Sequence, residues 1–201
     1  MTDPRIERSR LTVLAVTIDL LATTQPSNIT VEEIAAKSHV SKATIYRHWP
    51  SRDHILVDAI NSLTSELPTP QTDLPFEEAI QAFVTELVDI INDPNRAGAH
   101  QALLILSRHN PTFAELHQRA HHTLSAAVDA LVRRGITEGH LDPDTDSNIV
   151  AAQLVGPFLF AFFESTPAVH ALTESVSAGV LRSHRPRPTT ARRHGTSGQP
   201  R

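Results

Sequence analysis

Apolar residues recur along this chain at three- and four-residue intervals, and no strand-like alternation bounded by turns interrupts them. Leu11, Leu14, Ile18 and Leu21 form the first stripe and predict a helix over residues 4–23. A polar, Pro-containing break follows at residues 24–28. Thr30 and Glu33 then stand at capping-box spacing and open a second helix, with Ile34 and Ala35 turned inward. Ser38-His39-Val40 reads as a turn. Ser41 is a suitable N-cap for a third helix over residues 42–48, with Val40 and Ile45 toward the core, and Pro50 stops it. Ser51 caps a fourth helix. Asp53 lies in its first turn, where the helix dipole favours negative charge, and Ile55, Leu56, Ala59, Ile60 and Leu63 make its buried side.

The period lapses at residues 67–75, LPTPQTDLP, which reads as a linker. A second helical set follows. Phe76, Ile80, Phe83, Leu87 and Ile91 form a stripe that ends at residues 92–95, NDPN. Residues 97–108 contain Leu103-Leu104-Ile105-Leu106, apolar all round and expected to be buried. Asn110-Pro111 is an N-cap followed by Pro at the first helical position. The helix it starts carries Phe113, Leu116, Ala120, Leu124, Val128 and Leu131 on one face, with Gly135 near its end. Asp142-Pro143 repeats the start signal, with Asp144 and Asp146 in the first turn. That next helix shows two apolar faces, one with Ile149, Gln153, Gly156, Phe160 and Phe163, the other with Leu154, Phe158 and Phe162. It needs cover on both sides, and Pro157 removes a backbone donor inside it. Thr166-Pro167 opens a last helix with Val169, Leu172, Val176 and Val180 in register. The expectation is an all-α protein of about nine helices. Its parts are a three-helix unit within residues 1–66, the linker at 67–75, a larger helical unit at 76–181, and a disordered basic tail at 182–201.

Composition narrows the chemistry. The 201 residues are 40% hydrophobic, enough for a core, and include no cysteine, which excludes disulfides and Cys-based metal sites or nucleophiles. The charged N-terminus lacks a signal-peptide layout, and the apolar stretch 11–22 is too short to span a bilayer and contains Asp19, so a cytoplasmic protein is expected. The net charge of −4 is unevenly spread. Residues 67–181 hold 5 Lys/Arg against 14 Asp/Glu, a poor surface for nucleic acid. By contrast, Lys37, Lys42, Arg47 and Arg52 occur with no carboxylate between Ile34 and Arg52, and such a local strip matters more than global charge because phosphate contacts are local and screened.

Residues 29–60 therefore combine two short helices, a tight turn, a basic strip and a following helix, the layout of a helix-turn-helix that inserts its second helix into the major groove. The run TVEEIAAKSHVSKATIYRHWPSR, Thr30 to Arg52, resembles the DNA-binding domain of the TetR (tetracycline-repressor-like) transcriptional regulators, over about residues 10–62. A weaker resemblance runs through RRGITEGHLDPDTD, Arg133 to Asp146, and LVGPFLFAFF, Leu154 to Phe163, to the ligand-binding, dimer-forming half of one branch of that family. Three features depart from the family pattern. Leu20 to Gln25 replace its usual aromatic and glycine, His39 stands where the turn normally has glycine, and Trp49 replaces the commoner Phe.

The resemblance implies a repressor released by a small-molecule ligand, working as a homodimer through its last two helices on a palindromic double-stranded DNA operator. Thr30, Lys42, Ala43, Thr44, Tyr46, Arg47, His48 and Arg52 are the expected DNA-facing residues. Lys42 suits guanine acceptors or a phosphate, and Thr44 suits a thymine methyl or a base edge. Tyr46 and His48 suit phosphates, as at the matching family positions. Thr30 and Arg52, at helix starts, suit the flanking backbone.

The effector is expected to be small and apolar, because all seven Phe lie at position 76 or later whereas the sole Tyr and Trp precede it. Phe83, Leu87, Leu103, Leu104, Phe113, Leu116, His117 and Phe158 are candidate walls, with core packing the competing reading for each. His117 and His121 stand at i, i+4, a metal-ligand spacing. No third ligand is fixed, so neither a metal nor a cofactor is expected. Two alternatives remain: a His-based metal enzyme or metal sensor, and a helical dimer without DNA recognition. Against an enzyme, the chain has no HExxH, nucleophile elbow or Gly-rich phosphate loop.

Overall fold

The computed structural model describes residues 4–64, 67–164 and 169–186. Among these it forms nine α-helices and no strand: α1 Pro4–Thr23, α2 Val31–Ser38, α3 Lys42–His48, α4 Arg52–Thr64, α5 Phe76–Asn92, α6 Pro94–Leu106, α7 Pro111–Thr137, α8 Ser147–Glu164 and α9 Val169–Ser183. A 3₁₀ turn, Pro26–Asn28, fills the break after α1. No helix among the described residues is long and apolar enough to cross a membrane.

Local chemistry sets several helix starts. Thr30 Oγ1 accepts the Glu33 N–H at 3.1 Å, Ser41 Oγ accepts that of Thr44 at 3.3 Å, and Asn110 Oδ1 accepts that of Thr112 at 3.0 Å. Asp93 plays the same part for α6, with Pro94 at its first position.

Four expectations need correction. Leu11 does not join the core. It is 57% exposed, and α1 buries Val13, Leu14, Thr17, Leu20 and Leu21 instead, a stripe shifted around the helix. Ile105 is likewise exposed, because α6 is covered on two sides rather than all round. The helix expected from Asp142-Pro143 starts four residues later, at Ser147. Asp142 Oδ1 accepts the Asp144 N–H at 3.0 Å, which curls residues 142–145 into a turn, and Asp146 becomes the group that accepts from Asn148, at 2.7 Å. The last helix reaches Ser183, two residues into the expected tail. The rest of that tail from position 187, the Thr166-Pro167 start, and the side chains of Phe162, Phe163 and Leu172 lie outside the described residues.

Two apolar clusters hold the molecule. One joins α1–α4 to Ala99, Ala102 and Leu103 of α6 and to Phe113 and Leu116 of α7. The other joins α5, α8, α9 and the second half of α7. The segment 67–75 is non-helical and pinned. Arg134 of α7 donates to the carbonyls of Gln71 and Leu74 at 3.0 and 2.6 Å, while Glu86 accepts from the Thr69 N–H and the Gln71 amide. The first cluster thus spans the sequence on both sides of the Pro-rich segment, so the small N-terminal bundle rests on α6 and α7.

Candidate functional site

The short helix α3 is anchored from beneath by Ile45, fully buried, and by Trp49 at its C-terminal end, which is nearly so. Trp49 Nε1–H donates to Asp58 Oδ2 of α4 at 2.9 Å, and Arg10 of α1 donates to the same oxygen at 3.2 Å. One carboxylate therefore ties α1, the end of α3 and α4 together. With its inner face fixed, α3 leaves Lys42, Ala43, Tyr46 and Arg47 exposed, and Tyr46 at 51% is conspicuous for an aromatic residue. Thr44 and His48 are half-buried. Thr44 Oγ1 lies 3.0 Å from Ser41 Oγ and accepts from Arg47 at 3.4 Å, and His48 tilts against Trp49.

Two expected DNA-facing cations already have partners. Lys42 Nζ donates to Glu32 Oε1 of α2 at 2.9 Å. That hydrogen bond holds the Glu32 carboxyl below the usual carboxylate range and raises Lys42 above its own. Both groups lie in solvent, where such a pair is weak and exchangeable for a phosphate. Arg52 donates through Nε and Nη2 to Asp53 Oδ1, at 3.0 and 2.8 Å, and through Nη1 to the carbonyls of Ser27 and Ile29 at 3.4 and 3.5 Å. It braces the turn before α2. Asp53 Oδ2 accepts from Asn110 Nδ2 at 2.9 Å, which links the start of α4 to the N-cap of α7. Thr30 is exposed, its hydroxyl engaged as the cap of α2.

His39 ends α2 in the left-handed region, φ 54 and ψ 22, the one non-Gly residue with positive φ among the described residues. Its side chain is exposed, so the turn keeps the geometry a glycine would give at some cost in backbone strain.

Where the two clusters meet there is a cavity of about 200 Å³. Four helices each contribute a stripe to it: Leu87, Ile90 and Ile91 from α5; Ala97, His100, Leu103 and Leu104 from α6; His117, Ala120, His121 and Leu124 from α7; Val155, Phe158 and Leu159 from α8. Leu67 closes it. Of the candidate walls, Leu87, Leu103, Leu104, His117 and Phe158 line this space. Phe83, Phe113 and Leu116 do not; each is fully or nearly fully buried in one of the clusters. His100 and His121 line it as well and were not among the candidates, although each stands three or four residues from one that was, on the same helix face. Three imidazoles thus border the cavity, yet among the described residues no group of three His, Asp or Glu side chains is arranged to hold a metal.

Helix α6 has a second face. Gly98 packs so closely on the C-terminal end of α1 that a Cβ there would sit 2.6 Å from the Leu21 carbonyl oxygen. One side of α6 borders the cavity and the other touches the N-terminal bundle.

Two family models match. Residues 13–59 match "Bacterial regulatory proteins, tetR family", and residues 74–180 match "Tetracyclin repressor-like, C-terminal domain". The HTH-type transcriptional regulator AqdR of Rhodococcus erythropolis is 26% identical over 166 residues, covering 78% of this chain and 79% of its own. Among solved structures, a TetR transcriptional regulator from Chloroflexus aurantiacus is similar with TM-score 0.73 at 18% identity, over 90% of this chain and 96% of that one. A transcriptional regulator from Saccharomonospora viridis in complex with choline is similar with TM-score 0.73 at 18% identity, over 90% of this chain and all of that one. At such identities the structural likeness speaks for the fold.

Proposed function

The chain belongs to the tetracycline-repressor family and is a DNA-binding transcriptional regulator, and from that premise we propose that it is a homodimeric repressor released from a palindromic operator by a small, uncharged effector. Residues 1–66 would be the reading head and residues 76–181 the effector-binding and dimerising half, in a cytoplasmic protein. The observation that carries the DNA reading is the exposed face of α3. Lys42, Ala43, Tyr46 and Arg47 project from a helix whose opposite face is locked by Ile45 and Trp49. A helix fixed on one side and bare on the other suits insertion into a groove. Thr30, Thr44, His48 and Arg52 complete the proposed contact surface, Arg52 by holding the turn beside α2 as much as by touching phosphate.

Dimerisation through α8 and α9 is supported by the outer face of α8, where Ile149 is 52% and Phe160 68% exposed. Large apolar side chains left in water on one helix face mark an association surface. Two heads related by a two-fold axis would read half-sites about one helical turn apart, or a multiple of it.

Effector release is supported by the position of α6 between the cavity and α1. A ligand that favours one placement of α6 would shift the spacing of the two heads in proportion to its differential affinity for the two states. Among the described residues the cavity lining contains no Asp, Glu, Lys or Arg, which suits an uncharged molecule. Choline, held by the Saccharomonospora neighbour, is a cation and would find no carboxylate among the described lining residues.

Selection of binding sites from random duplex DNA with the full-length protein tests the reading. A two-fold symmetric consensus is expected. An asymmetric consensus would overturn the dimeric reading head, and no enrichment would overturn operator recognition.

A further inference from the structure

His100 borders the cavity from α6 with one ring nitrogen committed and the other vacant. Nδ1 lies 2.8 Å from the carbonyl oxygen of Arg96, one turn earlier on the same helix. A carbonyl can only accept, so the ring proton must sit on Nδ1, and Nε2 is left as a lone-pair acceptor. That Nε2 has almost no accessible surface and no hydrogen-bond partner among the described residues, so a ligand donor reaches it once the ring turns or a neighbouring cavity side chain gives way. Burial, reinforced by the nearby Arg96 charge, pushes the imidazole below its ordinary range, though the Arg96 carbonyl opposes the shift. The ring is thus neutral near neutral pH. Around it the described residues of the cavity are Leu, Ile, Val, Ala and Phe, with His117 and His121 the other polar groups among them. An ordered water needs two to four polar partners, which such a lining supplies poorly. A buried acceptor without a donor is unfavourable, and a ligand that brings the donor removes that penalty.

We propose that the ligand of this cavity is a small, uncharged, mostly apolar molecule with a single hydroxyl or N–H group that donates to Nε2 of His100. The proposal rests on the reading of this cavity as the effector site and specifies the chemistry that the site selects. A carboxylate brings no donor and would turn its charge toward a lone pair. A quaternary ammonium brings no donor, and the described lining residues offer it no carboxylate. His100 is on this account the residue that sets specificity, and the apolar stripes supply affinity and size limits. A site built to pair with a ligand hydroxyl rejects the analogue that lacks it, because the protein group is then left buried and unpaired.

The test uses the full-length protein and three probes of one shape: para-ethylphenol, para-ethylfluorobenzene and para-ethylbenzoate, titrated calorimetrically. The phenol is expected to bind about tenfold tighter than the fluoroarene, and the benzoate weakest. In His100→Phe, checked for retained helicity, phenol and fluoroarene should bind within about threefold of each other. Heteronuclear NMR of the ligand-free protein should show His100 as the Nδ1–H tautomer, a readout that does not depend on the variant folding. Equal affinity of phenol and fluoroarene for wild type, survival of the preference in His100→Phe, or an Nε2–H tautomer would each overturn the donor proposal. Any of these results, obtained with binding retained, leaves the cavity as a ligand site. Binding of none of the three would overturn both readings.

Discussion

His39 closes α2 with a left-handed backbone that a side chain disfavours, and its imidazole is exposed. His39→Gly should therefore raise stability by about 0.5–1 kcal/mol, the strain relieved less the extra freedom of the unfolded chain. Urea denaturation measures it; an unchanged or lower midpoint would mean the imidazole has a stabilising role. His100 carries a pH dependence whose sign is fixed by burial. Its folded pKa is lowered from the ordinary 6.5, so as pH falls the unfolded chain takes up the proton first. The neutral-pH stability is present above the unfolded value and is lost as pH drops toward the folded one. The Arg96 charge lies near the ring and disfavours its protonated form, and His117 and His121 border the same cavity. Between about pH 7 and 5 wild type should lose more stability than His100→Phe, and parallel denaturation midpoints for the two proteins would refute the assignment.

Capping chemistry made α2, α3 and α7 legible from the sequence, because Thr30, Ser41 and Asn110 act through hydrogen bonds to residues two or three places on. The start of α8 was not legible. Asp142-Pro143 carries the same local signal as Asn110-Pro111, and only the turn made by Asp142 with Asp144 moves the start to Ser147. Leu11 and Ile105 depart from the expected pattern for a related reason: a stripe states which residues share a face, and packing decides how wide the covered face is. Helix α6 shows the consequence for function. Gly98 allows α6 to lie against α1 at backbone distance, while Ala97, His100, Leu103 and Leu104 border the cavity. Gly98→Ala must part the two helices. An overpacking cost of about 1–3 kcal/mol is expected, together with DNA affinity altered in the absence of any effector. A stable variant with wild-type DNA affinity would show that this contact does not set the position of the reading head.

At the scale of the molecule, hydrophobic spacing and the Pro-rich segment revealed two helical sets, but not that the first core extends across that segment into α6 and α7. The long-range polar contacts were invisible for the same reason. Asp58 under Trp49 and Asn110 on Asp53 join residues 9 and 57 positions apart, and no local pattern announces such a pair. Five of the eight candidate wall residues do border the cavity, since stripes locate helix faces; the other three lie in the core because spacing alone does not separate a cavity wall from a core face. The proposed assembly rests on the bare face of α8. Phe160→Glu should convert dimer to monomer in analytical ultracentrifugation and weaken operator binding, since one reading head cannot engage two half-sites; a dimer that survives the change would place the association surface elsewhere. That the exposed face of α3 reads DNA is the proposal on which the others depend. Fluorescence anisotropy on the selected operator and on a scrambled duplex, with wild type and Tyr46→Ala at equal salt, tests it most directly. Wild type is expected to prefer the operator strongly, and Tyr46→Ala, folded to the same extent, to lose at least about tenfold in operator affinity, the cost of about 1.4 kcal/mol of contact. Operator binding by Tyr46→Ala as tight as that of wild type would contradict it.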